Sequence, residues 1–190
     1  MTKTLFFTFA LLLLPYTAWA NEANQPLAID KTQSYLKFSG VQNKKTAFTG
    51  QFERFSPEII FNSDDMVASF IRVEVELASV NSNNKKRDDN LKNSNWFDVE
   101  NTPKALFESS SITPLEDGAY KVLGDLTIRT IKKPLELIMT ISRTENIITL
   151  QGAVQLNRLD FDLGLGAWKN PNWVKHEVDV EYKVVGTLTQ

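Results

Sequence analysis

Hydrophobic side chains recur at every second position along most of this chain. The clearest run is Met66 to Val80, where Val67, Ile71, Val73, Val75 and Leu77 share one face and Arg72, Glu74 and Glu76 the other. A period of two, rich in β-branched residues, makes a strand with one dry side and one wet side. Wound as a helix, the same residues would scatter valines and glutamates around the axis. The alternation returns in seven further runs: Leu36–Gly40, Phe48–Phe52, Ala105–Ser111, Tyr120–Ile128, Leu135–Ile141, Ile148–Leu156 and Val178–Val184. Eight strands are predicted. In the Ala105 run the inward set reads Ala105, Phe107, Ser109 and Ser111.

The connections decide how these strands pair. Asn62-Ser63-Asp64-Asp65, Glu116-Asp117-Gly118 and Thr144-Glu145-Asn146 are tight-turn sequences between adjoining runs. Short reversals force antiparallel neighbours, because a parallel pair needs a crossover of about a dozen residues or more. An open sheet of eight strands would leave two long edges free to pair with other chains, and closing it removes them. The expected class is therefore all-β, an eight-stranded antiparallel barrel. At that size the interior holds either packed side chains or one small ligand. Gly40, Gly50, Gly124 and Gly152 fall on the predicted inner faces among aromatic residues. They mark either bends of a solid barrel or places where another group comes close in a partly hollow one.

Two segments leave the pattern. Asn81 to Phe97 is polar, rich in helix-capping residues and ends in Trp96-Phe97; a short helix beginning at Asp88, Asp89 or a nearby Asn would turn Leu91 and Trp96 inward. Leu163 to Val174 is a long loop carrying Trp168 and Trp173, which either gate an opening or plug it.

The N-terminus reads as an export signal. Lys3 gives the positive start, Leu5 to Leu14 the apolar stretch and Ala18-Trp19-Ala20 the small-x-small cleavage site. That apolar stretch is too short for a membrane span, which needs roughly 20 residues. Residues 1–20 are expected to be removed, leaving 21–190 as a single domain with 20 basic against 23 acidic side chains. So balanced a charge lacks the basic footprint of a nucleic-acid binder. With no cysteine there are no disulfides, thiolate metal sites or cysteine nucleophiles, and a lone His176 supports no multi-histidine metal site.

Several stretches together resemble the YceI-like family: PLAIDKTQSYLKFSG, FTGQFERFSPEIIFN, RDDNLKNSNWFDVENTPKALFESSSI, GDLTIRTIKKPL and LNRLDFDLGLGAWKN. The likeness covers residues 27 to 190. Its most specific piece runs from Arg87-Asp88 through Leu91, Trp96-Phe97, Pro103 and Phe107 to Gly124-Asp125-Leu126-Thr127-Ile128. It implies an extended, lipocalin-like antiparallel barrel in the periplasm that holds a polyisoprenoid, an isoprenoid quinone or a similar long amphiphile, with no other cofactor. The LNRLDFDLGLGAW segment is similar to the subgroup associated with cytochrome b561-type membrane partners, so a membrane electron-transfer protein is a candidate partner; a homodimer stays open. One position departs: Thr130 stands where the family usually has Gly after LTIR, and a turn needing positive φ there would be strained.

The candidate ligand-binding lining follows the dry faces. Phe38, Phe48 and Phe52 come from the first two strands, Ile71, Val73 and Val75 from the third. Trp96, Phe97, Phe107 and Leu126 lie in and around the helical segment and the next two strands; Trp168, His176, Val180 and Tyr182 come from the C-terminal loop and last strand. Without metal partners, His176 also reads as a structural or solvated residue. Arg87-Asp88-Asp89 reads as a solvated helix start or an ion-pair lid. Asp160 and Asp162, two apart, read as a surface turn before an acid/base pair. Lys44-Lys45, Lys85-Lys86 and Lys132-Lys133 fall at turns and read as separate solvated edges. A solid barrel that docks a protein is the alternative function, and a lipid-modifying enzyme a more remote one.

Overall fold

The computed structural model describes residues 25–62 and 65–188. The predicted export signal lies outside them. Eleven strands and one α-helix follow in the order β1 (Gln25–Ile29), β2 (Tyr35–Gln42), β3 (Thr46–Phe52), β4 (Phe55–Phe61), β5 (Phe70–Glu76), β6 (Val80–Asn81), α1 (Lys85–Lys92), β7 (Lys104–Pro114), β8 (Tyr120–Ile128), β9 (Ile131–Thr144), β10 (Ile147–Asn157) and β11 (Glu177–Leu188). All pairings are antiparallel.

Eleven strands make only eight wall positions. The strand β11 carries β10 on one flank; its other flank carries β2 along Asp179–Lys183 and β1 along Gly186–Leu188. The strands β1 and β2 are thus one wall strand broken at 30–34. In the same way β3 and β4 are one strand broken at Glu53-Arg54, with β3 on β2 and β4 on β1. A third break, the 3-10 turn Leu77–Ser79, separates β5 from β6. Counted so, the chain runs up and down eight times and the last strand closes on the first.

Two expectations change in detail. The predicted strand Met66–Val80 is a 3-10 turn (Met66–Ala68), then β5, then the second turn and β6. Val67 therefore leaves the inner face and is exposed, because the barrel end must reverse there. A bulge between Ser109 and Ser111 shifts the register of β7 on β8. The extra residue turns Ser111 off the inner face and seats Ile112 there, almost fully buried. Of the starts expected for the helix, the nearby Asn is the one used: it begins at Lys85, with Asn84 capping it by accepting the Arg87 amide at 3.0 Å.

One end of the barrel is packed shut. Leu27, Phe61, Ile112, Val122, Ile148 and Val184 interlock there, beneath the β4–β5 loop and the β7–β8 and β9–β10 turns. The strand directions place α1, the β2–β3, β8–β9 and β10–β11 connections at the other end.

Candidate functional site

The dry faces do not fill the barrel. A cavity of about 580 Å³ runs inside it, walled by Leu36, Phe38, Val73, Phe107, Leu126, Val154, Val180, Tyr182 and further apolar side chains. That volume falls within the range of about 300–1,000 Å³ usual for small-molecule sites. The polar lining residues are Gln42, Asn43, Asn84, Lys86, Arg87, Asn90 and Arg158, all from the α1 end, and among the described residues no carboxylate lines the cavity. The tube is greasy along its length with a polar, cationic mouth.

The wall is shaped by glycine–aromatic pairs across adjacent strands. Gly40 faces Phe48 and Gly50 faces Phe38 between β2 and β3; Gly152 faces Tyr182 between β10 and β11. Each ring lies where a Cβ would stand, at 2.8 Å from that position for Phe48 over Gly40. The glycines let aromatic rings lie along the wall. The phenyls continue as a chain, Phe48–Phe38 at 6.5 Å, Phe38–Phe52 at 5.5 Å and Phe52–Phe97 at 5.8 Å between centroids. Burial pushes the Tyr182 phenol well above its ordinary value, so it stays neutral.

Thirteen of the candidate lining residues border the cavity: Phe38, Phe48, Phe52, Ile71, Val73, Val75, Trp96, Phe97, Phe107, Leu126, Trp168, Val180 and Tyr182. His176 does not. It precedes β11, which begins at Glu177, and its Nε2 sits 2.9 Å from the Lys169 carbonyl, tying the C-terminal loop. Phe55 and Ile59 of β4 and Leu135, Leu137 and Met139 of β9 also line the cavity. Those on β9 stood on a recognised dry face; those on β4 were hidden by the break after β3 and by Pro57.

At the mouth the charged side chains sort themselves. Asp88 accepts the amide and hydroxyl of Ser82, and Asp89 pairs with Lys85 at 2.7 Å. Arg87 takes neither and lies over the Phe48 ring, 4.6 Å from its centroid, so no Arg–Asp lid forms. Trp168 packs edge-on against Trp96 at 5.8 Å where both border the cavity, whereas Trp173 stands 54% exposed on the rim. Asp160 and Asp162 sit exposed on a 3-10 turn and its left-handed cap, outside the cavity and off any strand.

Arg158 is the residue that sequence reasoning missed. It is 2% exposed, and its guanidinium donates to the carbonyls of Leu163, Gly164, Trp168, Val174 and Lys175. It also lies 5.2 Å from the Trp96 ring. A cation buried among carbonyl dipoles folds the whole 163–175 loop around itself. Nothing local announces it, since every polar partner is main chain. In the β8–β9 turn the positive φ falls on Arg129 (56°) and spares Thr130. Its side chain donates to the carbonyls of Trp96 at 3.0 Å and Asp162 at 3.1 Å, bridging the helical segment and the 3-10 turn.

A YceI-like domain model matches residues 27–186. The chain belongs to the YceI-like family. The crystal structure of BcnA from Burkholderia cenocepacia superposes with a TM-score of 0.80 at 26% identity, over 84% of this chain and 99% of that one. A polyisoprenoid-binding domain from Saccharophagus degradans, implicated in plant cell wall breakdown, gives 0.72 at 17% identity over 87% and 99%, a likeness of fold. A UPF0312 protein of Vibrio vulnificus is 25% identical over 137 residues, 72% of either chain. As a YceI-like protein, this chain is a closed barrel built to bind, and its architecture agrees with the sequence expectation.

Proposed function

We propose that the barrel carries one long apolar chain, a polyisoprenoid or isoprenoid quinone, with its head toward the α1 end, and that the protein does so in the periplasm after export. The observation that carries this reading is the cavity itself, apolar along its walls and polar only at its mouth. The polyisoprenoid-binding description of the S. degradans neighbour supports it, and the N-terminal signal pattern supports export.

The energetics need no charged anchor. Burying a methylene is worth about 0.8 kcal/mol, so a five-carbon unit yields roughly 3–4 kcal/mol. Association costs about 4–15 kcal/mol, which several buried units offset. The rings of Phe38, Phe48 and Phe52 offer flat surfaces to methyl-branched chain, and the neutral Tyr182 keeps charge out of the tube.

Organic extraction of protein purified from its native host, followed by mass spectrometry, tests the proposal. A prenyl chain at one per barrel is expected. An empty extract, together with failure to take up a fluorescent long-chain probe, would overturn it.

A further inference from the structure

All three lysine doublets lie at the α1 end of the barrel, because the up-and-down topology sends every second connection there. Lys132 is paired with Asp125 at 3.0 Å and Lys85 with Asp89. Lys44, Lys45, Lys86 and Lys133 remain exposed without a carboxylate partner among the described residues. The β2–β3 turn is stitched to the C-terminal loop: the Asn43 amide donates to the Trp173 carbonyl at 2.8 Å, Lys44 to Asn172 at 3.1 Å and Lys175 to Val41 at 2.9 Å. These bonds hold the turn carrying Lys44 and Lys45 against the loop that carries Lys169, Lys175 and the protruding indole of Trp173, which borders the cavity mouth together with Asn43, Lys86 and Arg87.

We infer that this rim is a docking face for an anionic lipid bilayer, which it meets with the mouth of the barrel turned toward the lipid. An exposed indole ringed by lysines suits the headgroup layer, the ring entering it and the ammonium groups meeting phosphate. Each lysine near an anionic surface is worth roughly a factor of five in affinity, and one indole with several lysines gives reversible attachment. The chain as a whole is net −2; the α1 end also carries exposed Asp89, Glu100, Asp160 and Asp162 against Lys44, Lys45, Lys86, Lys133, Lys169 and Lys175, while the opposite end presents Glu116, Asp117 and Glu145, so the net attraction favours the rim and sets the orientation. A bilayer is chosen over a protein partner on the proposed reading that the guest is an apolar chain, which passes between lipid and lumen most directly where the mouth touches lipid.

The absence of cysteine makes the test site-specific. An environment-sensitive dye is attached at Asn172→Cys on the rim or at Glu116→Cys on the far end, and each protein is titrated with phosphatidylglycerol-containing or pure phosphatidylcholine vesicles. The rim dye is expected to brighten and shift to the blue with anionic vesicles only, and the far dye to stay silent. Replacing Lys44, Lys45 and Lys169 with Gln should weaken binding roughly a hundredfold, and Trp173→Ala should abolish the blue shift. The N-terminal segment is common to all variants and drops out of the comparison. Equal response from the two dyes, equal response to neutral vesicles, or a triple variant that binds as tightly as the parent would overturn the inference. Uptake of a long-chain fluorescent probe without vesicles reports the lumen separately: it must survive the lysine substitutions, none of which lines the cavity, and its loss in the parent protein would instead count against the proposed function.

Discussion

The phenyl ring of Phe48 lies against the α-carbon of Gly40 on the neighbouring strand, in the space a side chain would occupy. The pair sets the bore of the tube near its mouth, because a ring that cannot lie on the wall must stand out into the lumen. Gly40→Val is expected to cost about 1–3 kcal/mol of stability, as overpacking does, and to slow uptake of a long-chain probe. Urea unfolding and a fluorescence uptake assay read the two effects.

Filling the lumen should act differently from filling a core. Val154 and Val180 face each other across β10 and β11 and border the cavity. Replacing both with Phe adds bulk to empty space, so stability should change by less than about 1 kcal/mol, while a solid interior would lose more. Binding of the probe should fall at least tenfold. Unchanged binding with a large stability loss would mean that the cavity is not where the guest sits.

Arg158 should be intolerant of change. Arg158→Met strands five carbonyl acceptors, and losing one side of a buried charged cluster costs about 3–5 kcal/mol. Arg158→Lys should recover little, since one ammonium cannot span carbonyls that a flat five-donor fork reaches together. Denaturant midpoints give the cost, and limited proteolysis should find new cleavage confined to 163–175.

Asp30 turns the chain at the break between β1 and β2. The Thr32 hydroxyl, the Gln33 side chain and two backbone amides donate to it, holding its carboxyl at about 2 against an ordinary 3.8. A lowered pKa means the folded state prefers the ionised form, so this contribution is present above about pH 4 and vanishes as pH falls through about 2. Carbon-detected NMR titration of the Asp30 carboxyl should show that midpoint, and Asp30→Asn should flatten stability over the same interval.

The eight-fold alternation was legible in the sequence because each strand's dry face is a local pattern, and so were the helix cap at Asn84 and the inward Trp96-Phe97. The breaks were not. Whether the pieces on either side of 30–34 or of Glu53-Arg54 form one wall strand depends on the neighbours they pair with, a property of the ring that alternation within either piece does not carry. The bulge at Ser109–Ser111 hid for the same reason: its extra residue matters only against β8. Hollow or solid was also undecidable from alternation alone, since both need inward apolar residues; the Gly–aromatic pairing settles it only when strand register is known. Arg158 escaped because its partners are carbonyls, which every residue has.

The loop knotted around Arg158 has a consequence for chemistry in harsh surroundings. Guanidinium keeps its proton throughout the biological range, and amide oxygens neither gain nor lose one. Acidification that slackens carboxylate-held turns such as the one at Asp30 leaves this fastening untouched, so the loop behind Trp168 and Trp173 holds its outline when the seam on the barrel's flank begins to loosen.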